Sequence, residues 1–479
     1  MTAGLPRPLS RRRFESRDQA LFVELSGDEN PIHTDPIAAR RTIMGAPVVH
    51  GVHLALRAIE ALRANHFYAR GNNLISIGAR FPRPTYLGDV VEFRLSEAAK
   101  GRCRIESYVQ QNLVLDLELI FGPGTGRNDA RLAKLKPLRL QEQEFHELEG
   151  LSGALSVGVD ARLARKQFPG LVVDLGLLGL AELLALTRLV GMRCPGRHSL
   201  FSQFDVAFDR HAKPGRMHFR VERTDTRFLR VDMTVEGARL GGKLTAFFRP
   251  APQAQPTIAA VAACVARDEF RSSVALIVGG SRGLGETTAK IIAAGGGRPI
   301  VTYNSGKEDA AAVVREIRKW GGRCDALTLD VRRLGDKIER IFSRRTAPRT
   351  IYYFATPQIF AKRRDFFSRD LLQRFIDYYV GAFTAIIDAA ASRSGVKLNI
   401  FYPSTVAVTE APRELAEYAM AKRLAEEVCA FYNAHSDKIK IVVERLPRIK
   451  TDQTAVLFEI PAETSLSVML PIVRRVELG

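Results

Sequence analysis

Tryptophan and cysteine are the scarcest side chains here, one and five among 479 residues. Cys103, Cys194, Cys264, Cys324 and Cys429 stand far apart, and no Cys-x-x-Cys pair occurs. That argues against a zinc ribbon or finger and against a disulfide framework, so no metal centre is expected. The chain does not open on the apolar core of a signal peptide. Its most apolar stretch, Leu177 to Val190, is broken by Glu182 and Arg188, and reads as too short and too charged to span a bilayer. Long runs of one charge are also missing. Lys and Arg outnumber Asp and Glu by 71 to 52, a net charge of +19, yet the longest basic run is Arg11–Arg13. Nucleic-acid binders concentrate such charge on one face or tail. Scattered charge points instead to an anionic partner such as nucleotide phosphates, coenzyme A or an acidic carrier protein, or simply to a basic soluble surface. The expectation is a protein of the reducing cytoplasm, with neither nucleic acid nor membrane as partner.

What is present is ordinary for a globular protein, with 46% hydrophobic and 26% charged residues. The length allows two to four domains at roughly 100–200 residues each. The clearest boundary is the linker 253–272, entered through Ala251-Pro-Gln-Ala-Gln-Pro256. Behind it, Val274-Ala-Leu-Ile-Val278 opens alternating strands and helices, the mark of an α/β Rossmann-type doubly wound parallel sheet over 273–479. Residues before the linker carry an internal repeat. Pro47–Leu56 leads into an amphipathic helix ending near Tyr68, and Leu171–Leu180 into one ending near Gly191. Phe81 is followed by Gly88, Val90, Val91 and Phe93; Phe208 is followed by Gly215, Met217 and Phe219. A long helix and then antiparallel strands, twice over, describes a sheet wrapped around a helix. An α+β double hotdog is therefore expected, with halves 1–125 and 126–252.

The most informative stretch of the first half is Ser26-Gly27-Asp28-Glu29-Asn30-Pro31-Ile32-His33-Thr34-Asp35. Pro31 restricts Asn30 to an extended conformation and fixes a turn. A carboxylate and an imidazole held near one water can share general-base and general-acid work. The blander reading is a turn in which Asp28 and Asn30 only bond backbone amides. The stretch resembles the G-D-x-N-P-x-H-x-D signature of the MaoC-like (R)-specific enoyl-thioester hydratases and dehydratases. His50-Gly51 and Phe81-Pro-Arg-Pro-Thr-Tyr-Leu-Gly88-Asp89 resemble the same family, over roughly residues 15–122. The resemblance implies that Asp28 and His33 act on the water and the α-proton. It also implies that a helix N-terminal N–H, that of Gly51, meets the thioester oxygen. One departure is Leu56, where the family often carries a Ser. The second half lacks the signature, its counterpart of His50-Gly51 being Asp174-Leu175. One site per chain is expected, with the second half forming the wall of an acyl tunnel.

The second constellation begins at Gly279-Gly280-Ser281-Arg282-Gly283-Leu284-Gly285, between a strand and a helix. Glycines let the backbone turn tightly and approach a pyrophosphate at a helix N-terminus. The next strand ends at Asn304-Ser305 without the acidic residue that reads a ribose hydroxyl, while Arg282 can meet a 2′-phosphate. That favours NADP(H) over NAD. Asp330, before Val331, is placed to contact the adenine. Tyr418 and Lys422 stand at i,i+4 on one helix face, where a nearby ammonium lowers a phenol's pKa; a plain surface pair is the alternative. Together these features resemble the short-chain dehydrogenase/reductase family over roughly 273–460, nearest to 3-oxoacyl-carrier-protein reductases and polyketide ketoreductases. The resemblance implies that Tyr418 protonates an alkoxide, that Lys422 holds the ribose, and that Pro447 and Thr451 lie by the nicotinamide. It further implies that Ser404 or Thr405 positions the carbonyl. Departures are Phe354-Ala355-Thr356 for Asn-Ala-Gly, Tyr378 at the catalytic Asn, and Pro447-Arg448 for Pro-Gly. The expectation is a bifunctional enzyme on acyl-CoA or acyl-carrier-protein thioesters, with NADPH-dependent 3-oxoacyl reduction and 3-hydroxyacyl dehydration. Its rivals are an active hotdog beside an idle reductase, and a non-catalytic scaffold. A homodimer paired through the helix of Tyr418 is expected.

Overall fold

The computed structural model describes residues 7–65, 72–99, 101–123, 132–208, 215–343, 347–357, 359, 367–393, 397–452 and 462–479. One compact unit runs to Ala251 and a second begins at Pro252. The first is built on ten strands: β1 (Arg7–Arg13), β2 (Asn72–Arg80), β3 (Val90–Ala99), β4 (Arg102–Val109), β5 (Asn112–Pro123), β6 (Ser152–Ser156), β7 (Ser199–Ala207), β8 (Arg216–Asp225), β9 (Arg230–Glu236) and β10 (Gly241–Phe248). They form one sheet in the order β1-β3-β4-β5-β2-β7-β10-β9-β8-β6. Read from each edge inward, the halves repeat one order, β1-β3-β4-β5-β2 and β6-β8-β9-β10-β7. The antiparallel β2–β7 ladder, Ser76↔Ala207 to Arg80↔Gln203, joins them.

Alternation sets which face is buried. Val91, Phe93 and Leu95 of β3 and Met217, Phe219 and Val221 of β8 point inward. Each half wraps a helix. The first central helix, Gly51–Ala64, buries Val52, Leu54, Ala55, Leu56, Ala58, Ile59 and Leu62; Tyr68, the expected end, lies outside the described residues. The second, Pro169–Arg188, is apolar nearly all round and packs against the first. With its extension to Arg193 it is long and apolar enough to cross a membrane by length and composition, and it is mostly buried inside the protein. Fully burying one such Leu contributes about 1.5–3 kcal/mol.

Gly176 (φ 68°, ψ 175°) breaks the second helix, which resumes at Leu177. The expected counterpart of His50-Gly51, Asp174-Leu175, thus lies just before this break rather than at the start of the helix. The break frees a carbonyl that the Arg239 guanidinium satisfies, donating to Leu175 O at 2.9 Å. Asp174 is drawn aside into an ion pair with Arg63. Glu182, buried in mid-helix, accepts the backbone N–H groups of Ala238, Arg239 and Leu240.

The second unit has six parallel strands: β11 (Val274–Val278), β12 (Arg298–Tyr303), β13 (Asp325–Thr328), β14 (Thr350–Tyr353), β15 (Leu398–Thr405) and β16 (Ile439–Leu446). Their order is β13-β12-β11-β14-β15-β16. This is the doubly wound Rossmann arrangement expected, with its order reversing between β11 and β14, where ligands of such sheets bind. Separate hydrophobic cores occupy its two faces.

Candidate active sites

Gly27 ends the helix Ser16–Ser26 in the left-handed region (φ 68°) that glycine enters most readily. The chain then turns and presents Asp28. Asn30 caps the next helical turn by accepting from Ile32 N–H at 3.1 Å, and its amide donates to Gly191 O (2.8 Å) and Gly196 O (3.1 Å). Pro31 opens that turn, His33 rides on it, and Asp35 caps the following one. Four residues of the motif therefore build the turn, which presents Asp28 and His33.

The His33 ring places Nδ1 2.8 Å from Val48 O. A carbonyl only accepts, so Nδ1 carries the hydrogen and the neutral ring keeps its lone pair on Nε2. The ring stacks on His50 at 3.7 Å. Asp28, 1% exposed, accepts the Thr187 hydroxyl at 2.7 Å and the Asn30 N–H at 3.2 Å. His50 Nε2 lies 3.1 Å from Asp28 O and 3.6 Å from its carboxylate. Burial pushes the Asp28 carboxyl up, and His33, Thr187, Asn30 and Arg188 pull it back. Burial pushes His33 down, opposed by Asp28. Opposite shifts bring the proton affinities of carboxylate and imidazole together, as proton exchange requires. His50 falls well below the ordinary imidazole range through burial beside His33 and His53.

Gly51 begins the first central helix, where an N–H has no partner within the helix. A Cβ there would strike the Phe81 ring at 2.8 Å, so only glycine leaves the Phe81 ring its place. Phe81 meets Phe201 and Phe204 of β7 with centroids 5.9 and 6.1 Å away. Leu56 is buried in the core. The donor atoms of Asp28, His33 and His50 all lie within 4.8 Å of one another. Two hydrogen bonds, from the Thr187 hydroxyl and the Asn30 N–H, already engage the carboxylate of this trio.

In the second unit Gly279 (φ 82°) follows β11, with its N–H bonded to Thr302 Oγ1 at 3.1 Å. A Cβ on Gly280 would meet Val301 at 2.9 Å, and one on Gly285 would meet Gly279 O at 2.5 Å. On Gly283 (φ 57°), among the described residues, it would reach Thr451 at 3.8 Å. The turn is thus tightly packed at Gly280 and Gly285 and less so at Gly283, beside Thr451. Ser281 and Leu284 complete it, half-buried. Arg282 pairs with Asp452 at 3.5 Å. Asn304 and Ser305 are exposed after β12. Asp330 follows β13 by two residues and accepts Arg332 N–H at 3.0 Å, with Val331 buried beside it. Pro447 directly follows β16. These residues gather at the carboxyl ends of the strands.

Consecutive strand residues face opposite ways, so at most one of the alternatives Ser404 and Thr405 looks toward Tyr418. Ser404 donates to Glu426, whereas the Thr405 hydroxyl is within hydrogen-bonding reach of Tyr418. The expected lowering of Tyr418 by Lys422 is replaced by a rise from burial, and the Lys422 side chain is engaged elsewhere. Its ammonium donates to Pro403 O at 2.6 Å and lies over the rings of Tyr379 (4.1 Å) and Tyr402 (4.6 Å). Burial pushes Tyr418 up to about 12, with Thr405 pulling it back. Tyr418 packs on Tyr379: their ring centroids are 5.7 Å apart, and Tyr379 bonds Thr356 Oγ1 at 2.5 Å. A π-helical turn over Asp377–Gly381 shifts the helix phase by one residue. Tyr378 instead lies under the Arg332 guanidinium.

Burial pushes Lys422 down to about 7, opposed by Cys429 and Glu426. The lowered value means the fold disfavours the protonated amine. That cost is fully present below pH 7 and fades as pH rises toward the unfolded value near 10.5. Lys422→Met is therefore expected to raise the melting temperature more at pH 6 than at pH 9. Equal gains at both would show that the two ring faces offset the cost of burial.

A MaoC like domain model matches residues 4–117, and a short chain dehydrogenase model matches residues 273–346. Over 116 residues the chain is 30% identical to 3-hydroxybutyryl-CoA dehydratase of Methylorubrum extorquens, covering 23% of this chain and 73% of that protein. The chain belongs to the MaoC-like family. This MaoC-like protein also carries a short-chain dehydrogenase domain. It is 38% identical over 69 residues to a hydroxynaphthalene reductase-like protein of Metarhizium guizhouense, spanning 14% of this chain but only 26% of that relative's length. A solved 3-oxoacyl (acyl-carrier-protein) reductase from Agrobacterium tumefaciens with NADP bound is 17% identical, with a TM-score of 0.38, covering 43% of this chain and 88% of that one. Thr187, Arg188 and Gly191 of the MaoC-like unit belong to no motif, and sequence reading passed over them.

Proposed function

We propose that this is a bifunctional acyl-thioester enzyme, and that its ten-stranded sheet, with halves 1–125 and 126–252, is a double hotdog. The first site would interconvert 3-hydroxyacyl and trans-2-enoyl thioesters. The observation carrying this is that Asp28 and His33, five residues apart, face each other in a buried cluster, with the Nε2 lone pair of His33 free to take a proton. In dehydration one of the pair accepts the C2 proton while the other protonates the departing C3 hydroxyl. The C2–H and C3–O bonds break, C2=C3 forms, and water leaves. The Gly51 N–H steadies the enolate-like oxygen as charge develops. The similarity to the 3-hydroxybutyryl-CoA dehydratase of Methylorubrum extorquens supports this class.

The second unit, on this reading, binds NADP(H) and reduces 3-oxoacyl thioesters. Its turn fits the pyrophosphate, because among the described residues Gly283 has only ordinary contacts, with Thr451, while Gly279, Gly280 and Gly285 are closely packed. Arg282, and the lack of an acid at Asn304-Ser305, fit the 2′-phosphate. Bound NADPH supplies a hydride. Tyr418, in reach of Thr405, would donate the proton to the carbonyl oxygen. A homodimer through the helix Ala416–His435 is supported by its exposed Met420, Leu424 and Phe431. An idle reductase is the second reading, favoured by the caging of Lys422. The test uses the purified chain with two probes, trans-2-enoyl-CoA of increasing length, and 3-oxoacyl-CoA with NADPH. Hydration together with NADPH consumption that Tyr418→Phe abolishes is expected. Hydration alone would leave the idle-reductase reading, and neither reaction on CoA or carrier-protein thioesters would overturn the proposal.

A further inference from the structure

The motif-bearing half of the first unit does not complete its own site. Asp28 is held from across the unit by the second half, through the end of the second central helix and the turn after it. Thr187 donates to Asp28 Oδ2 at 2.7 Å, with both side chains nearly inaccessible (3% and 1% exposed). Gly191 sits against the same carboxylate so closely that a Cβ would lie 2.2 Å from Oδ1. Gly191 O also accepts the Asn30 amide at 2.8 Å, so one backbone segment fixes both ends of the motif turn. Arg188, next to Thr187, is buried, with its guanidinium bonded to the carbonyls of Lys136 and Ser156 and its charge facing Asp28. Glu29 N–H donates to Met192 Sδ at 3.3 Å. One of the two hydrogen bonds to the Asp28 carboxylate, and the backbone packed against it, therefore come from residues 187–192, in the half that carries no signature.

We propose that Thr187 is a positioning residue for the hydration reaction, and that the second half exists in this chain to supply it together with the space left by Gly191. The proposal rests on the dehydratase reading of Asp28. A free carboxylate rotates about Cβ–Cγ and takes many orientations. A hydroxyl donor on one oxygen and the Asn30 N–H on the other leave a single orientation, the one that faces His33. Thr187 also stabilises the charged carboxylate directly, since a hydrogen bond to the ionised form favours it. The groups facing Asp28 are His33 on its own turn, His50 at the start of the first central helix, and Arg188 on the second. Thr187 is the side chain that hydrogen-bonds the carboxylate at 2.7 Å, whereas His50 Nε2 stands 3.6 Å from it.

The experiment compares the intact chain with Thr187→Val, which keeps shape and removes the hydroxyl, and Thr187→Ser, which restores it. Steady-state hydration of trans-2-enoyl-CoA is measured across pH. A hydrogen bond to a charged group contributes roughly 1.5–3 kcal/mol, which is about 10- to 150-fold in rate. Thr187→Val is expected to lower kcat by that factor with KM nearly unchanged and to move the Asp28 limb of the pH profile upward. Thr187→Ser should recover most of both. Gly191→Ala should reproduce the loss by displacing the carboxylate. A Thr187→Val protein with wild-type kcat and pH limb overturns the proposal, as does a loss of kcat with an unmoved limb, which marks a merely structural role. If the wild-type chain hydrates nothing, the dehydratase reading fails first. The Thr187–Asp28 bond is then judged by carboxyl NMR titration of labelled aspartate, with Asp28→Asn assigning the signal. An unshifted Asp28 pKa in Thr187→Val sinks the positioning role.

Discussion

Asp28→Asn is expected to cut trans-2-enoyl-CoA hydration by about 100- to 10,000-fold, the usual share of a general acid–base group, while raising the melting temperature at neutral pH. The amide keeps the shape of the carboxylate and can still accept from Thr187, so the turn should survive. What it loses is the exchangeable proton facing His33. The stability gain follows from the same burial that tunes the site. The fold raises the Asp28 carboxyl above its ordinary value. The native state therefore holds this proton more tightly than the unfolded chain does. Stability falls as pH climbs through the window between the two values, and the full cost is present above it. Below the ordinary carboxylate pKa both states are protonated and the cost vanishes. The advantage of Asp28→Asn over wild type should thus be clear at pH 7 and shrink by pH 4. Activity and stability trade against each other here as they do at other strained sites. A variant that hydrates at the wild-type rate would remove Asp28 from the mechanism. A melting gain independent of pH would show that the carboxylate is not destabilised by its surroundings.

Sequence reasoning reached the local features and missed those made by packing. The turn Gly27–Asp35 is legible because its parts act within a few residues of one another. Gly27 takes a positive φ, and Asn30, Pro31 and Asp35 cap successive helical turns. The glycine turn after β11 is legible for the same reason. Thr187 and Gly191 sit some 160 positions from Asp28, and no spacing rule joins them. One signal was visible nonetheless. Glu182 and Arg188 interrupt the most apolar stretch of the chain, and buried charged groups require partners. Read that way, the interruptions mark an internal helix end that serves something polar: Glu182 takes three backbone N–H groups, and Arg188 faces Asp28. The Ser404/Thr405 alternative was open because spacing does not reveal which strand face looks at Tyr418. That Tyr379 packs on Tyr418 was not legible, because the π-helical turn Asp377–Gly381 leaves no mark in the hydrophobic pattern. The break at Gly176 leaves none either.

Gly285→Ala should be as damaging to the second unit as Asp28→Asn is to hydration. The added Cβ would lie 2.5 Å from Gly279 O and 2.8 Å from Gly280 Cα. Both are backbone atoms, so no side chain can swing away and the turn itself must open. Overpacking of this kind costs about 1–3 kcal/mol. The opening also moves the N–H groups at the start of the helix Gly283–Ala294 from where a pyrophosphate would meet them. Gly283→Ala makes the informative contrast. There, among the described residues, a Cβ meets Thr451 at 3.8 Å, so packing is spared and only the left-handed φ is strained, at roughly 1–2 kcal/mol. That Cβ would instead project from the less tightly packed part of the turn, where it competes with a phosphate. Gly285→Ala is expected to lower the unfolding temperature of the second unit and to weaken NADPH binding. Gly283→Ala should weaken binding with the smaller loss of stability. Hydration at the first site should be untouched by either. Fluorescence titration with NADPH beside a thermal melt separates the outcomes. If Gly285→Ala binds NADPH like the wild type, the glycine turn is not where this chain holds its dinucleotide.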